Sequence, residues 1–270
     1  MPSPPVIAIV VPCFNEEAVL PFSIPKLLAI LARMAQQSLA SPDSYILCCD
    51  DGSQDATWKI ISDLHLRDRR VKGISLAHNR GHQYALLAGL MTAKDHCDAA
   101  ISIDADLQDD TDAIIEMVRR FISGKEIVFG VRDDRTSDSW FKRTTAHAFY
   151  SLQRKMSIET IYDHADFRLM SQRALELLSE YGESNLFLRG IVPQLGLESD
   201  TVSYARKQRA AGESKYPLVR MLSFSIDGIT SFSARPMRWV FFIGLILLAI
   251  DLLVGIYVGF SILYSDKLEA

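Results

Sequence analysis

No two cysteines in this sequence have the C-x-x-C spacing, and of the four present, Cys13, Cys48 and Cys49 lie in or beside apolar runs while Cys97 stands apart. Thiols placed this way read as reduced core residues of a cytoplasmic domain, which argues against a disulfide scaffold or a thiolate zinc site. A large excess of one sign of charge is also missing. A formal net charge of -4 over 270 residues gives no global reason to expect a nucleic-acid partner, so local basic clusters matter more than the total. The amino terminus has no basic region ahead of Val6 to Val11, and that run is too short for a signal core, so it reads as the first strand of the fold. A dinucleotide oxidoreductase would need G-x-G-x-x-G after that strand, whereas the chain continues Pro12-Cys-Phe-Asn-Glu16. Internal repeats and low-complexity stretches are missing as well.

What is present is alternation. Val6 to Val11, Tyr45 to Cys49, Val71 to Leu76, Ala99 to Ile103 and Ile127 to Val131 read as strands, separated by helices near 17–37, 55–67, 82–95 and 111–123. With 49% hydrophobic residues the soluble part reads as one α/β domain, built on a mostly parallel sheet with helices on both faces. After Val131 the pattern changes. Residues 140–156 form a basic amphipathic stretch with Trp140 and Phe141, suited to a membrane interface or to packing on the sheet. Residues 216–235 predict a second, juxtamembrane amphipathic helix.

From Trp239 to Tyr264 the only charged residue is Asp251. At a rise of about 1.5 Å per residue this segment can cross a hydrocarbon core of roughly 30 Å, so 238–264 is predicted to be a transmembrane helix following a domain at 1–215. Arg235 and Arg238 precede it, while Asp266, Lys267 and Glu269 follow, which puts the large domain on the cytoplasmic side of the inner membrane. Asp251 is costly inside a span unless it faces protein, water or a partner helix.

Polar chemistry gathers at predicted strand ends, all on one edge of the sheet. The first is Val11-Pro-Cys-Phe-Asn-Glu-Glu17; the second, Asp50-Asp-Gly-Ser-Gln-Asp-Ala-Thr57, ends a strand with two acids that could accept from a ribose diol or a base N–H. In the third, His78-Asn-Arg-Gly-His-Gln83, Gly81 permits close backbone approach and Arg80 adds charge for a diphosphate. The fourth is Asp104-Ala-Asp-Leu-Gln-Asp-Asp110. Positions i and i+2 of an extended segment point the same way, so Asp104, Asp106 and Gln108 can offer oxygens to one hard cation. Read singly, each motif is equally a turn, a cap or an acidic helix start. Together, at successive strand ends, they describe a nucleotide-diphosphate site with a divalent cation.

These residues, with Asp163-His-Ala-Asp-Phe-Arg-Leu-Met170 and Arg209-Ala-Ala-Gly-Glu-Ser-Lys-Tyr216, resemble family 2 glycosyltransferases that use polyisoprenyl phosphates. The likeness is greatest to the bactoprenol glucosyltransferase branch and more distant to dolichyl-phosphate mannose synthases. It implies a GT-A, Rossmann-like fold, inverting transfer, Mg²⁺ or Mn²⁺, membrane attachment and homo-oligomers. Members of the branch usually carry two spans, and one is present here. By the same resemblance Asp104, Asp106 and Gln108 hold the metal; Pro12, Phe14, Glu16, Asp50 and Asp51 line the nucleoside pocket; Asn79 and Gly81 lie near the phosphates. Asp166 takes the position proposed for a base, with Asp106 as its catalytic companion. Arg132, Arg143, Arg209 and Lys215 correspond to cations around the donor and acceptor phosphates. The expected partners are a UDP-sugar, glucose most naturally, and undecaprenyl phosphate in the membrane, with no nucleic acid. UDP-N-acetylglucosamine, another UDP-sugar or GDP-mannose would use similar motifs.

A lipid monophosphate with a second pKa near 6 is already largely dianionic at neutral pH, so Asp166 is expected to orient groups more than to remove a proton. Processive polysaccharide synthases carry a Q-x-x-R-W signature and several more spans, neither of which occurs here. A catalytically silent nucleotide-sugar-binding scaffold is the competing non-enzyme reading, and the intact acids Asp104, Asp106 and Asp166 argue against it.

Overall fold

The computed structural model describes residues 3–132, 164–182, 188–205 and 235–265. The predicted helices at 140–156 and 216–235, and with them Arg143, Arg209 and Lys215, lie outside the described residues, apart from Arg235.

A seven-stranded sheet organises the described part of the domain. Its strands are β1 (Ile7–Cys13), β2 (Tyr45–Asp50), β3 (Val71–Ser75), β4 (Ala99–Ser102), β5 (Ile127–Arg132), β6 (His164–Ser171) and β7 (Ser199–Tyr204), in the order β3-β2-β1-β4-β6-β5-β7. The helices are α1 (Leu20–Gln36), α2 (Thr57–Arg67), α3 (His82–Ala93), α4 (Ala113–Ile122), α5 (Gln172–Ser179), the single turn α6 (Leu188–Ile191) and α7 (Arg235–Ser265). The five apolar runs form strands β1 to β5, and α1 to α4 fall between them as the alternation predicts. Strands β6 and β7 and helix α5 have no counterpart in that alternation and are additional.

Period-two patterning explains why one sheet has two cores. On β1, Ile7, Ile9 and Val11 join one buried cluster with Leu20, Leu27, Ile61 and Ile114 of α1, α2 and α4. Ala8 and Val10 join another with Leu86 and Leu90 of α3 and Leu175 of α5. Successive side chains of a strand point to opposite faces, so a run apolar at every position requires cover on both. Each fully buried Val, Ile or Leu contributes about 1.5–3 kcal/mol relative to exposure. Helix α3 packs so tightly that a Cβ on Gly89 would overlap the Cys49 sulfur and lie 2.5 Å from Val10 Cγ1.

Two features of the topology position the site. The chain builds outward from β1 to β2 and β3, then returns to place β4 on the other side of β1, all four strands parallel. The loops leaving β1 and β4 therefore diverge, and a crevice opens at their carboxyl ends. Strand β6 runs antiparallel to both β4 and β5, with Ser102 opposite Arg168. Its first residues thus arrive at the edge where the parallel strands finish. Strand β5 pairs parallel with β7, bringing Arg132 and Tyr204 to that edge as register partners.

Within α7, Val240–Ser261 is long and apolar enough to cross a membrane, with a mean hydropathy of 2.6. The rest of the described chain covers none of it.

Candidate active site

The loops after β1 and β2 are laced together by hydrogen bonds. The Asn15 N–H donates to Ser53 Oγ at 2.9 Å, while Asn15 Oδ1 accepts from the Gln54 N–H at 2.9 Å. Asn15 adopts φ +55°, a left-handed conformation that Asn tolerates better than most residues. The Glu16 N–H donates to Thr57 Oγ1 at 2.8 Å, and the Glu17 N–H to Asp55 Oδ2 at 3.1 Å. Asp55 serves both its own helix and the neighbouring loop, since its Oδ1 accepts the Thr57 N–H at 3.0 Å. Phe14, at the end of β1, keeps its ring 42% exposed despite its size.

Both acids at the end of β2 are buried and fully engaged. Asp50 accepts from the Ser53 N–H at 3.2 Å and from Ser75 Oγ at 3.0 Å. Asp51 accepts from the backbone N–H groups of Arg80 and Gly81 at 2.7 and 2.9 Å, which fixes the loop between β3 and α3. Gly52 makes that approach possible. It has φ +67°, and a Cβ there would lie 2.7 Å from the His78 carbonyl carbon and 2.8 Å from the Asn79 nitrogen. Gly81 follows with φ +95° and starts α3. Asp51 and Gly52 therefore bring Asn79 and Gly81 beside the ends of β1 and β2.

After β4 the backbone is not extended as the spacing predicts. A turn closes with the Leu107 N–H on the Asp104 carbonyl at 3.2 Å, and Leu107 takes φ +46°. Within it Gln108 donates its backbone N–H to Asp106 Oδ1 at 3.3 Å and its side-chain Nε2 to Oδ2 at 2.7 Å. Asp104 and Asp106 thus share the turn without the simple i, i+2 alignment. Burial raises the Asp104 carboxyl above its ordinary range; His82 opposes this, while the charges of Asp166, Asp109 and Asp106 add to it. Among the described residues no group of three or more His, Cys, Asp or Glu side chains is placed to hold a metal ion.

Asp166, 6% exposed, is the most heavily bonded carboxylate of the edge. Arg168 Nη2 donates to its Oδ1 at 2.5 Å. Arg189 donates Nε to Oδ1 at 3.2 Å and Nη2 to Oδ2 at 3.1 Å, and Gln83 Nε2 donates to Oδ2 at 3.1 Å. Ser102 Oγ holds the Asp166 backbone carbonyl. His82 Nε2 stands 3.6 Å from both Asp166 Oδ2 and Asp104 Oδ1, bridging the two acids. Burial alone would raise the Asp166 pKa, but His82 and the positive charges of Arg189 and Arg168 outweigh it and hold the carboxyl well below the usual carboxylate range. The same balance acts on His82: burial favours its neutral form, and the two carboxylates overcome that and raise its pKa.

A second cluster anchors the far side. Asp109 is buried and accepts from Tyr204 Oη at 2.7 Å and from Arg132 Nη2 at 3.1 Å. It ties the turn after β4 to the ends of β5 and β7, and Arg132 is committed to it at its inner face.

The predicted residues from Pro12 to Asp106 and Asp166 therefore share one edge. His82, Gln83, Arg168, Arg189, Asp109 and Tyr204 carry no predicted role in the sequence. His82, Gln83, Asp109 and Arg168 do lie inside the quoted motifs, whereas Arg189 and Tyr204 lie outside all of them.

The model of the family described as Glycosyl transferase family 2 matches residues 8–179. Glycosyltransferase YkoT of Bacillus subtilis, itself described as uncharacterized, is 51% identical over 254 residues, covering 94% of this chain and 75% of YkoT. The bactoprenol glucosyl transferase of Shigella phage SfV is 38% identical over 252 residues, covering 92% and 79% of the two chains. Among solved structures, glucosyl-3-phosphoglycerate synthase from Mycobacterium tuberculosis aligns with a TM-score of 0.52 at 17% identity, covering 82% of this chain and 76% of its own. The mannosyltransferase PcManGT from Pyrobaculum calidifontis, in complex with GDP-Man and Mn²⁺, also reaches 0.52, at 15% identity and 78% and 59% coverage. These two likenesses show the GT-A-like fold and no more. The sequence matches run through β1, β2, β4 and β6, the strands whose ends carry the acids, and they make this chain a glycosyltransferase belonging to glycosyl transferase family 2.

Proposed function

We propose that the chain transfers glucose from UDP-glucose, with inversion, to the phosphate of a membrane polyisoprenyl phosphate, undecaprenyl phosphate. The observation that carries this reading is the Asp166 cluster. Its carboxylate is saturated by Arg168, Arg189, Gln83 and His82 and held in its ionised form, so it is a poor proton acceptor. A site whose central acid cannot serve as an effective base suits an acceptor that needs no deprotonation, and a dianionic phosphate is one. The 38% identity to a bactoprenol glucosyl transferase supports glucose and the lipid. The apolar Val240–Ser261 supports attachment to a membrane, and Arg235 and Arg238 ahead of it favour a cytoplasmic sheet domain by the positive-inside tendency.

In the reaction a phosphate oxygen of the lipid attacks C1 of glucose from the face opposite UDP. The bond from C1 to the β-phosphate oxygen breaks, and its electron pair leaves with UDP. No proton need move in that exchange. On the donor side, Asp50 and Asp51 with Pro12, Phe14 and Glu16 would frame the nucleoside, and the loop at Asn79 and Gly81 would meet the diphosphate. Asp104 and Asp106, with Gln108, fit a divalent cation: they are hard oxygen donors, and burial, with the negative charges of Asp166, Asp109 and Asp106 beside it, pushes the Asp104 carboxyl upward. Two carboxylates suffice when substrate phosphates complete the shell, which is how Mg²⁺ is commonly held. Bound there, Mg²⁺ or Mn²⁺ would neutralise charge gathering on the leaving diphosphate. Arg132, with Arg143, Arg209 and Lys215, would supply further positive charge around the phosphates.

A donor panel tests this. Full-length protein in vesicles containing undecaprenyl phosphate is given Mg²⁺ and, separately, UDP-glucose, UDP-N-acetylglucosamine, UDP-galactose and GDP-mannose, and the lipid product is weighed by mass spectrometry. The expected result is addition of one hexose from UDP-glucose, abolished by chelating the metal. Preference for another donor would overturn the sugar assignment, and no sugar in the organic phase from any donor would overturn the acceptor.

A further inference from the structure

The turn that carries Asp104 and Asp106 is held from outside itself. Leu107 sits in it at φ +46°, a backbone conformation that a bulky L residue keeps only where its surroundings require it. Two residues on, Asp109 is 3% exposed, and its Oδ1 accepts from Tyr204 Oη at 2.7 Å and from Arg132 Nη2 and Nε at 3.1 and 3.3 Å. Arg132 and Tyr204 are partners in the last register pair of β5 and β7. Strand β6 lies between β4 and β5, so this contact reaches across a strand to hold the turn.

Tyr204 is itself fixed by packing. Its ring meets Phe167 edge to face, with centroids 5.2 Å apart and planes at 80°. Phe167 is buried and stands between Asp166 and Arg168 on β6. Gly130 of β5 admits that ring, since a Cβ there would lie 2.7 Å from Phe167 Cδ1. The packed ring delivers the hydroxyl to Asp109 at a set place. Burial and the Asp109 carboxylate push the Tyr204 phenol upward, so it remains a neutral donor. Arg132 therefore answers the charge of Asp109, while Tyr204 contributes direction. A buried ion pair is weak evidence for stability, and this one lies one residue beyond Gln108.

We infer that Tyr204 is a positioning residue for the donor-side metal: acting through Asp109, it keeps the strained turn of Asp104 and Asp106 in one shape before the cation arrives. The inference rests on the reading that these two acids bind that cation. A turn free to relax would have to be reordered on binding, and the metal affinity would fall by the fraction of the competent shape. Removing the hydroxyl changes no charge, so its effect on a cation reports the geometry of the turn.

The test titrates the full chain in vesicles with Mn²⁺ in the presence of UDP, reading free Mn²⁺ by electron paramagnetic resonance. Tyr204→Phe keeps the ring against Phe167 and removes only the hydroxyl. It is expected to raise the Mn²⁺ Kd about 10-fold, the lower end of what outer-shell partners of a metal contribute. Val202→Ala is the control, because Val202 is buried on the same strand and has no polar side-chain atom to offer Asp109. It is expected to lower the denaturation midpoint at least as far as Tyr204→Phe does, yet to leave the Mn²⁺ Kd within about twofold of wild type. An unchanged Mn²⁺ Kd in Tyr204→Phe overturns the inference. So does an equal loss in Val202→Ala, which would make the effect one of β7 packing. A wild type that takes up no Mn²⁺ with UDP overturns the metal reading itself, and that result appears before any substitution.

Discussion

At the scale of the residue, the central question is what a buried, ionised Asp166 costs and contributes. Two guanidiniums, an amide and an imidazole surround it, so its folded-state pKa lies below the unfolded value of about 3.9. The unfolded chain then takes up a proton before the native one as the pH falls. The stability this carboxylate contributes is therefore fully present above about pH 4 and is lost as the pH drops through the folded pKa. Asp166→Asn leaves Arg168 buried against a neutral amide and should cost about 3–5 kcal/mol at neutral pH, the usual penalty for breaking a buried pair. The gap in denaturation midpoint between wild type and Asp166→Asn is expected to grow as the pH falls from about 8 and His82 becomes charged against the carboxylate, and to narrow again below about pH 4. A gap that went on widening below about pH 4 would show that the carboxylate is not held down by its neighbours. Activity should fall because the groups that Asp166 holds are misplaced rather than because a base is lost, so the surviving rate should keep the wild-type pH profile.

At the scale of the element, the loop between β3 and α3 depends on a glycine outside it. Gly52 combines φ +67° with a Cβ direction that points into the His78–Asn79 peptide at 2.7 to 2.8 Å. Gly52→Ala is expected to destabilise the domain by about 1–3 kcal/mol through strain at a left-handed position. It should also weaken UDP binding, because Asp51 could no longer hold the Arg80 and Gly81 N–H groups at their present distance. Calorimetric titration with UDP beside a denaturant melt checks both, and a loss of stability with intact UDP affinity would separate the loop from the nucleotide. The same elements show where the sequence is readable. Strands β1, β2 and β4 are buried on both faces, and a continuous apolar run is a strong signal. Strand β7 is an edge strand with the sequence Ser-Asp-Thr-Val-Ser-Tyr and buries only Val202 and Tyr204, so it has no such run to read. Strand β6 hides for another reason. It carries Asp166 and Arg168 inward, buried charges that only a tertiary partner permits, and those partners, Gln83 and Arg189, are distant in sequence. The turn at Asp104–Leu107 departs from the extended reading because a left-handed Leu107 is not written in composition.

At the scale of the whole molecule, the same chain joins a sheet domain with a buried core to a helix that buries nothing against it. From Val240 to Phe260 the large side chains of α7 are about half to three-quarters exposed, an apolar surface far beyond what a helix in water leaves uncovered. The acceptor reading gives that surface a reason, since the headgroup of a polyisoprenyl phosphate is confined to the bilayer surface and the site must be held within reach of it. Asp251 is the span's one acid, so the segment already carries a cost that further charge would compound. Replacing Leu247 and Val254 together with lysine adds about 2.5–3.5 kcal/mol for each residue near the bilayer centre. The double variant is expected to leave the membrane fraction on carbonate extraction while keeping UDP affinity, because the loops proposed to hold the nucleotide follow β1, β2 and β3. Its transfer to undecaprenyl phosphate in vesicles should fall steeply, while UDP-glucose hydrolysis in solution persists. Retention in the membrane with full transfer would mean that the span is not what keeps the active site at its lipid substrate.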